Sequence, residues 1–455
     1  MPTLNAYALP HLVTAVPGPA SRAWLTRLRA CESPNVTALA DEFPVVWHQA
    51  KGGAVQDADG NVFIDATSAF GVALIGHAHP DVVAAVRDQS ELLLHAMGDV
   101  HPAMAKIVLL EALRRAAPGG LGHAVLCTGG SEAVEVALKT ALLATGRPGV
   151  VAFAGAYHGL GHGALDVTSR RDFRAPFNAQ LAHNTVWVPF AQTAAPPVGV
   201  SPDAMVAHVL QRIDDAIVHP SQGGTAIGAV LIEPILGRGG VVVPPVGFLQ
   251  ALRQLCDDRG VLLIADEIFT GCGRTGPLWA CDTEGVVPDI LCCGKALGGG
   301  MPIAACLGKP DVMASWGPSQ GEALHTSTFL GHPVACAAAT AALTIITDAP
   351  FVQLLNSASD WWRAELKAAL DGHPAVAEIR GRGLMLGVAL RDHAGVPAGE
   401  RAWRTVVGAL QRGLLVLPCG SRGEVIGLQP PAVLTPEQRQ AAVAILAQAL
   451  AATMN

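Results

Sequence analysis

The sequence contains 261-VLLIADEI-268 and 289-DILCCGKALGGGMP-302, two apolar runs that are each followed by polar or turn residues. A continuous apolar run of this length is typical of a strand buried within a parallel sheet. Asp266 lies at the end of the first run, and Lys295 comes directly after the second. Because open α/β sheets bind ligands at the carboxyl ends of their strands, both side chains are expected to face one ligand site.

The surrounding pattern predicts an α/β fold with a doubly wound, mainly parallel sheet. Strand-like runs alternate with helical stretches from about residue 80 to residue 330, and this alternation is typical of parallel sheets. The predicted strands begin at 149, 227, 261, 289 and 303, and the predicted helices cover 131–145, 202–217, 246–259 and 333–347. A first helix is predicted near 20–31, and the loop 190–201, which contains Ala-Pro-Pro, is interpreted as an insertion.

The two ends of the chain predict further, smaller units. Residues 53–65 carry the turn signal Asp-Ala-Asp-Gly-Asn between short β-like runs, which predicts a hairpin. Residues 350–455 predict a smaller α/β domain with a helix over 352–371, strands near 383–390 and 413–419, and an amphipathic helix over 435–452. The predicted division is therefore an N-terminal arm and small-domain segment (1–75), a large domain (76–335) and a C-terminal small domain (336–455).

Composition narrows the function classes. The 455 residues exceed one ordinary domain, and 51% hydrophobic content indicates a globular protein with a large core. A net charge of −7 gives no basis for binding nucleic acid or an anionic membrane. No apolar run is long enough to span a bilayer, and the N-terminus lacks a secretion signal. The ten cysteines show no metal-ligand spacing, so we expect buried, reduced thiols, no metal and a cytoplasmic protein.

The pairing of a lysine with an acid at neighbouring strand ends suits pyridoxal 5′-phosphate (PLP). The cofactor needs an amine to form a Schiff base and a carboxylate to hold its pyridinium nitrogen. The chain has six lysines, and only Lys295 has this setting. The alternative is that Lys295 is a solvated surface charge and that Asp266 and Glu267 cap the next segment. Ile268, two residues after Asp266, is expected to point to the same side and cover a ring face.

Three further motifs could serve the same ligand. In 127-CTGGSEAVEVALKTALLATG-146 a glycine-rich turn precedes a helix, which favours phosphate binding at the helix N-terminus. The alternative there is an ordinary helix cap made by Ser131. In 153-FAGAYHGL-160, Tyr157 could stack on a planar ring, or it could be a core aromatic beside a buried histidine. The segment 325-HTSTFLGHP-333 offers hydroxyl groups before a helix, which alone is only a cap signal.

Taken in order, these motifs resemble the class III PLP-dependent aminotransferases, the fold-type-I group that includes 4-aminobutyrate, ornithine and ω-amino-acid transaminases. The resemblance runs from about residue 40 to 450 and includes 57-DADGNVFIDATSAFGVALIGHAHP-80, 228-GAVLIEP-234, 380-RGRGLMLG-387 and 430-PP-431. It implies a large domain with a seven-stranded, mainly parallel sheet and a smaller α/β domain. It also implies PLP as the cofactor and a homodimer, with pairing into tetramers left open.

The resemblance also implies a role for each matched residue. Lys295 would be the Schiff-base lysine and the base that moves protons, and Asp266 would hold the pyridine nitrogen. The remaining cofactor contacts are expected from Gly130 and Ser131 on the phosphate, Thr328 of a neighbouring subunit on the same phosphate, Tyr157 and Ile268 on the two ring faces, and His158 and Glu233 around them.

Four departures from the family pattern concern the substrate. Many relatives have an arginine before the Pro-Pro pair that grips the substrate α-carboxylate, and a glutamate after the Glu-Pro strand that pairs with it. Here Gly427 and Arg238 stand at those two positions. Arg238 could be the carboxylate clamp, or it could be a surface or interface residue. Phe269 replaces a common glutamine, and Leu160 replaces an arginine of some 4-aminobutyrate enzymes.

The expected reaction is transfer of an amino group from an ω-amino acid or amine, for example a 4-aminobutyrate-like compound or a diamine, to a 2-oxo acid by a ping-pong mechanism. An amino-acid racemase or epimerase with the same residues is an alternative, in which Lys295 reprotonates the substrate Cα. A non-catalytic scaffold that kept the fold is a further alternative.

Overall fold

The protein is described by a computed structural model that covers residues 4–38, 40–192, 199–220 and 224–454. Half of the predicted insertion at 190–201, residues 193–198, therefore lies outside the described residues. The chain forms two compact units, one made of residues 1–80 with 349–455 and the other of residues 81–348.

The described residues form strands β1 to β15 and helices α1 to α14 in chain order. The strands are β1 Trp47–Lys51, β2 Ala54–Asp57, β3 Val62–Asp65, β4 His123–Cys127, β5 Gly149–Phe153, β6 Thr185–Val188, β7 Ile227–Ile232, β8 Leu262–Asp266, β9 Ile290–Cys293, β10 Ala304–Gly308, β11 Val376–Arg382, β12 Met385–Leu390, β13 Leu414–Leu415, β14 Leu417–Cys419 and β15 Val425–Leu428. The helices are α1 Pro19–Cys31, α2 Ser68–Gly71, α3 Pro80–Leu92, α4 Met104–Ala116, α5 Gly130–Thr145, α6 His162–Asp166, α7 Arg171–Arg174, α8 Met205–Val218, α9 Phe248–Arg259, α10 Pro310–Met313, α11 Pro333–Thr347, α12 Ala349–Leu370, α13 Gly399–Leu410 and α14 Pro436–Ala451.

The unit formed by residues 81–348 contains a seven-stranded sheet in the order β4-β10-β9-β8-β7-β5-β6. The pairs from β9 to β6 are parallel, whereas β10 is antiparallel to both β9 and β4. The predicted doubly wound, mainly parallel sheet is therefore confirmed. Since β10 is antiparallel to both of its neighbours, β4 runs in the same direction as β9, and the carboxyl ends of β4, β5, β7, β8 and β9 lie at one edge.

Helices cover both faces of this sheet. Successive residues of each strand point to opposite faces, so each strand contributes side chains to an apolar cluster on either side. Val150 and Ala152 of β5 belong to an apolar cluster with α5, whereas Val151 and Phe153 belong to a second cluster with α8 and α9. All six residues of β7 are buried. Each fully buried aliphatic side chain contributes about 1.5–3 kcal/mol, which explains why the strand sequences are apolar throughout rather than alternating.

The other unit contains two four-stranded sheets, in the orders β1-β2-β3-β13 and β11-β12-β15-β14. The predicted hairpin is confirmed as β2 and β3, and its turn is held by the Asp57 carboxylate, which accepts hydrogen bonds from the backbone N–H groups of Asp59 at 3.0 Å and Asn61 at 2.8 Å. Helix α14 begins with a capping box between Thr435 and Gln438. Its buried positions recur every three or four residues but include Gln438 and Arg439, so the predicted apolar face is interrupted by polar groups.

Among the described residues, no single helix is long and apolar enough to cross a bilayer, although Pro333–Thr347 and Ala349–Leu370 would meet that requirement together by length and composition as a bent pair. The ten cysteines carry free thiols, and eight of them are buried.

Candidate active site

The carboxyl edge of the seven-stranded sheet gathers most of the predicted site residues. Strand β8 ends on Asp266 and its neighbour β9 ends two residues before Lys295. Strand β7 leads into Glu233, and β5 leads into the loop that carries Tyr157 and His158. The strand order explains the grouping, since β9, β8, β7 and β5 are consecutive neighbours in the sheet.

Lys295 has an unusual backbone and an unusual amine. Its φ of 46° lies in the left-handed region, a strained conformation for a residue other than glycine that typically costs about 1–3 kcal/mol. Part of the residue remains accessible, but its Nζ lies 3.6 Å from the centroid of the Phe269 ring. Burial lowers the pKa of this amine to about 8, against the opposing pull of Asp266 and Glu233. Lys295 is therefore not an ordinary surface lysine.

Asp266 is buried and oriented by two donors. One carboxylate oxygen lies 2.7 Å from Nδ1 of His158, and the other accepts a hydrogen bond from the backbone N–H of Ile268 at 3.1 Å. A carboxylate has about four acceptor positions, so Asp266 retains capacity for a further donor. The Nε2 atom of His158 is buried without a hydrogen-bond partner among the described residues. This pair accordingly offers a preset anionic acceptor and an unsatisfied polar atom inside the site.

The N-terminus of α5 lacks a side-chain cap. Gly129 is the N-cap residue and supplies no side-chain hydrogen bond, so the alternative interpretation of Ser131 as the cap is wrong. The Ser131 hydroxyl instead accepts a hydrogen bond from the backbone N–H of Gly161 at 3.0 Å, which leaves its own proton available for donation. A Cβ atom added to Gly130 would lie 2.8 Å from Ile268, so this glycine allows Ile268 to pack over the start of the helix.

Ile268 is oriented by its local contacts and not by the side-chain alternation of a strand. Strand β8 ends at Asp266, so side-chain alternation along a strand cannot orient a residue two positions later. Ile268 is instead fixed by its own N–H bond to Asp266 and by its packing against Gly130.

Glu233 organises the loop that carries Tyr157. Its buried carboxylate accepts hydrogen bonds from the backbone N–H groups of Tyr157 at 2.8 Å and Gly237 at 2.9 Å. Burial raises the pKa of Glu233, with His158 opposing the shift. The carboxylate thus connects two loops at the sheet edge, one of which continues into Arg238.

Arg238 is exposed and lies against aromatic rings. Its guanidinium carbon is 4.8 Å from the Tyr157 ring centroid and 5.7 Å from that of Phe173. The two rings meet edge to face at 5.9 Å. Arg238 also lowers the pKa of Lys295, after the larger effects of burial and the two acids, because both side chains are cationic and lie in the same region.

Two residues of the site were not predicted. In the sequence, Phe269 is recognisable only as a departure from the family pattern, yet its ring faces the amine of Lys295. The sequence suggests Glu267 only as a cap, whereas its buried carboxylate accepts hydrogen bonds from the Thr270 hydroxyl and from the backbone N–H groups of Ala280 and Cys281. An acid after a strand is too common a signal to reveal that role, which is to set the path of the loop after β8.

Thr328 lies on an exposed surface segment. In this segment the Thr326 hydroxyl donates to Asp99 at 2.9 Å, and the ring of Phe329 lies 5.3 Å from that of His95. The expected contact of Thr328 with a phosphate group requires a second subunit and stays a prediction.

Comparison with known proteins identifies the family. The family model described as "Aminotransferase class-III" matches residues 35–450. The chain belongs to the class III aminotransferases. Members of this class use PLP, so the expected cofactor is confirmed at the level of the family.

Individual relatives cover nearly the whole class III aminotransferase chain. This chain is 36% identical over 408 residues to a 5-aminovalerate aminotransferase from Pseudomonas aeruginosa, and the alignment covers 89% of this chain and 93% of the relative. The chain is also 32% identical over 451 residues to an alanine/serine racemase from Pyrococcus horikoshii, and this alignment covers 98% of the chain and 94% of the relative. Among solved structures, an amine transaminase from an uncultivated Pseudomonas species in the PLP-bound form has a TM-score of 0.83, 29% identity and coverage of 92% of this chain and 98% of that one.

The residues of this class III aminotransferase fit PLP. Asp266 has acceptor capacity for a ring N–H, and Lys295 supplies an amine with a lowered pKa. The uncapped start of α5, with open space at Gly129, suits a phosphate group, since free N–H groups and the helix dipole favour an anion there.

Proposed function

We propose that this class III aminotransferase transfers the amino group of an ω-amino acid or related amine to a 2-oxo acid, with Lys295 as the Schiff-base lysine and Arg238 as the carboxylate-binding residue. The observation that carries the substrate assignment is the position of Arg238. It is a cation that stacks on Tyr157 and makes no ion pair within the described part of the chain. A carboxylate on the substrate would supply the missing anion.

PLP, when bound, supplies an electron-withdrawing ring that carries the amino group between two substrates. Asp266, held by His158, would keep the ring nitrogen protonated through a charge-assisted hydrogen bond. Gly130 and Ser131 would bind the phosphate at the start of α5. Tyr157 and Ile268 would hold the two faces of the ring, and Arg238 lies over the Tyr157 ring.

Lys295 would perform the proton transfers. With a pKa of about 8, its amine is present near neutral pH both as the ammonium and, in a minor fraction, as the free base. A group with a pKa close to the working pH can both accept and return a proton. Once released from the cofactor, Nζ would take the proton from the substrate carbon that bears the nitrogen.

Arg238 would fix the opposite end of the substrate. A guanidinium presents two parallel N–H groups that match a carboxylate, and stacking on Tyr157 keeps this fork oriented. Gly427 supports the assignment of Arg238 as the carboxylate-binding residue, because a glycine has no side chain that could bind a carboxylate. In its own unit, a Cβ atom at Gly427 would lie 3.0 Å from the side-chain nitrogen of Gln429.

The test is a half-reaction screen of the purified holoenzyme. Amines, diamines, 4-aminobutyrate, 5-aminovalerate, β-alanine and α-amino acids are added one at a time without an acceptor, and oxo product and pyridoxamine 5′-phosphate are quantified. The proposal expects stoichiometric release of oxo product from ω-amino acids, and acceptance of the nitrogen by a 2-oxo acid added afterwards. Absence of oxo product from every amine would overturn it.

The second candidate function is racemisation of an amino acid. It is supported by the 32% identity of this chain to an alanine/serine racemase. The same lysine would then return a proton to the substrate Cα. Incorporation of solvent deuterium at Cα without release of oxo product would establish this function instead.

We also propose that the enzyme is a cytoplasmic homodimer in which Thr328 serves the partner's phosphate site. Support comes from a surface of exposed apolar side chains around this segment, namely Leu92, Leu94, Met97, Val100, Met104 and Phe329. Exposed apolar patches of this kind mark interfaces between protein chains. Light scattering coupled to size exclusion should give twice the chain mass of 46.8 kDa or a multiple of it, and a monomer would overturn the dimer.

A further inference from the structure

We propose that Thr168 is a positioning residue for Asp266, the carboxylate assigned to the ring nitrogen of the cofactor. The Thr168 hydroxyl fixes the backbone of His158, and the His158 imidazole in turn lies against Asp266. This inference rests on the proposed role of Asp266 and extends the cofactor site to the segment that follows helix α6.

Thr168 is completely buried, and its hydroxyl lies at the centre of a small hydrogen-bond cluster. Its Oγ1 accepts a hydrogen bond from the backbone N–H of His158 at 2.9 Å. The same atom lies 2.9 Å from the carbonyl oxygens of Gly159 and of Ala164. A hydroxyl has one proton, so these two carbonyl groups share it. One side chain therefore fixes both the N–H of His158 and the carbonyl group that follows it.

The loop that carries His158 depends on such contacts, because residues 154–161 lie outside the helices and strands. Their backbone N–H groups need acceptors other than those of a sheet or a helix. Thr168 and Ser169 supply acceptors at the two ends of the loop. The Ser169 hydroxyl accepts a hydrogen bond from the N–H of Gly155 at 2.9 Å, and the N–H of Ser169 donates to the carbonyl oxygen of Ala156 at 2.9 Å.

Gly159 brings this loop into direct contact with the start of α5. Its φ of 129° lies in the region that favours glycine, and a Cβ atom there would lie 2.6 Å from Cβ of Ser131. The backbone at Gly159 therefore packs on the residue assigned to the phosphate group. Because Thr168 binds the Gly159 carbonyl and the His158 N–H together, it fixes His158 relative to this end of the cofactor site.

The His158 ring relies on its backbone for its direction. Its side chain is fully buried, and within the described residues only Nδ1 has a partner, the Asp266 carboxylate at 2.7 Å, whereas Nε2 has none. An ionised carboxylate cannot donate, so Nδ1 carries the proton of this hydrogen bond. Loss of the Thr168 hydroxyl would leave the buried His158 N–H without its acceptor, and the loop would have to move to satisfy it. The ring would then turn away from Asp266.

Histidine-selective ¹⁵N labelling tests this connection by NMR in the full chain, first without and then with bound PLP. The parent should show a slowly exchanging ring N–H signal of His158, because the donor is buried and hydrogen-bonded, and His158→Leu assigns the signal by removing it. Thr168→Val, which keeps the shape without the hydroxyl, should broaden or abolish the signal, and Thr168→Ser should retain it. Ser169→Ala is the matched control, since it removes an equivalent acceptor from Gly155 at the other end of the loop.

The half-reaction rate of the holoenzyme provides the second measurement. Thr168→Val should slow it about two- to fivefold, at the lower end of the couplings found within one hydrogen-bond network, and Thr168→Ser should restore it. Because Thr168 acts through His158, the double variant Thr168→Val/His158→Leu should be no slower than His158→Leu alone. If Thr168→Val does not fold, Thr168→Cys replaces it and should give smaller changes of the same kind, since a thiol is a weak acceptor.

Three results would overturn the inference. They are a parent without the slowly exchanging His158 signal, equal His158 signals in Thr168→Val and Ser169→Ala, and additive slowing in the double variant. An unchanged half-reaction rate in Asp266→Asn would instead overturn the proposed role of Asp266. The two failures are distinguishable, because the NMR comparison in cofactor-free protein does not depend on that role.

Discussion

The amine of Lys295 lies 3.6 Å from the centroid of the Phe269 ring, within the range of a cation–π interaction. The close approach depends on Gly237, because a Cβ atom there would lie 2.4 Å from the ring carbon Cδ1 of Phe269. The ring has two opposite effects on the amine. It excludes water, which lowers the pKa, and its π face stabilises the ammonium form, which raises it. The low pKa of Lys295 therefore reflects the whole site more than this ring alone.

Replacing Phe269 by leucine should shift the titration of Lys295 downward. Leucine keeps the apolar cover but removes the π face, which stabilises an ammonium by about 0.5–1 kcal/mol and corresponds to roughly half a pH unit. The measurement is the pH dependence of the rate at which cofactor-free protein takes up PLP, followed by absorbance. Phe269→Tyr, which retains an aromatic face, is the control, and coincident profiles for all three proteins would contradict the prediction.

In cofactor-free protein, the contribution of Lys295 to the free energy of unfolding should increase as pH rises from about 8 toward 10.5. Lys295 has a lowered pKa in the folded protein, so in this interval the unfolded chain binds a proton that the folded chain has lost. Below about pH 8 both states are protonated and the effect is constant. Urea denaturation of the parent and of Lys295→Met across this interval isolates the contribution, because the variant lacks the group. A parent-minus-variant difference that falls or stays flat with pH would show that the pKa is not lowered.

Gly237→Ala should destabilise the protein by about 1–3 kcal/mol, the usual cost of overpacking a well-packed site. The added methyl group would overlap the Phe269 ring. Adding Phe269→Leu should recover part of the loss, so the two substitutions should be non-additive in denaturation experiments. Gly122→Ala is the matched control, since its Cβ atom would have ordinary contacts at 3.5 Å. Simple additivity in the double variant would rule out the contact.

Asp266→Asn should slow amine transfer at least tenfold while PLP remains attached to the protein. Asparagine cannot supply the negative charge that keeps the ring nitrogen protonated, and a hydrogen bond to a charged group contributes about 1.5–3 kcal/mol. Stopped-flow measurement of the half-reaction gives the rate, and absorbance gives the occupancy. His158→Leu removes only the partner at 2.7 Å and should have a smaller effect in the same direction. An unchanged half-reaction rate in Asp266→Asn would remove the assigned role.

The strands that form the site could be predicted because their sequences are continuous apolar runs, and helix α5 could be predicted because an alanine-rich stretch follows a glycine-rich turn. The runs before Asp266 and Lys295 and the helix after Gly130 occur within a few residues of the expected positions. Strands β4 and β6 were not predicted, because each is short and has only one or two buried residues at its carboxyl end. The antiparallel direction of β10 was also not predictable, since it depends on how the loop after Lys295 reverses.

The side-chain geometry of the site could be predicted only where a motif fixes it. Lysine and aspartate at neighbouring strand ends led to the correct region. The contact between Lys295 and Phe269 could not be inferred, because it depends on the loop path that Glu267 sets and on the space left by Gly237. His158 and Asp266 are 108 positions apart in the sequence, and their pairing follows from the strand order, so no local sequence pattern predicts it.

The central claim, that Lys295 is the residue that binds PLP covalently, can be tested by borohydride reduction of the holoenzyme followed by peptide mass mapping. The chain has six lysines, so the assignment is unambiguous. We predict one reduced cofactor label per chain, located on Lys295, and no covalent label in Lys295→Ala. A label on Lys106, Lys139 or any other lysine, or a label that persists in the alanine variant, would contradict the account.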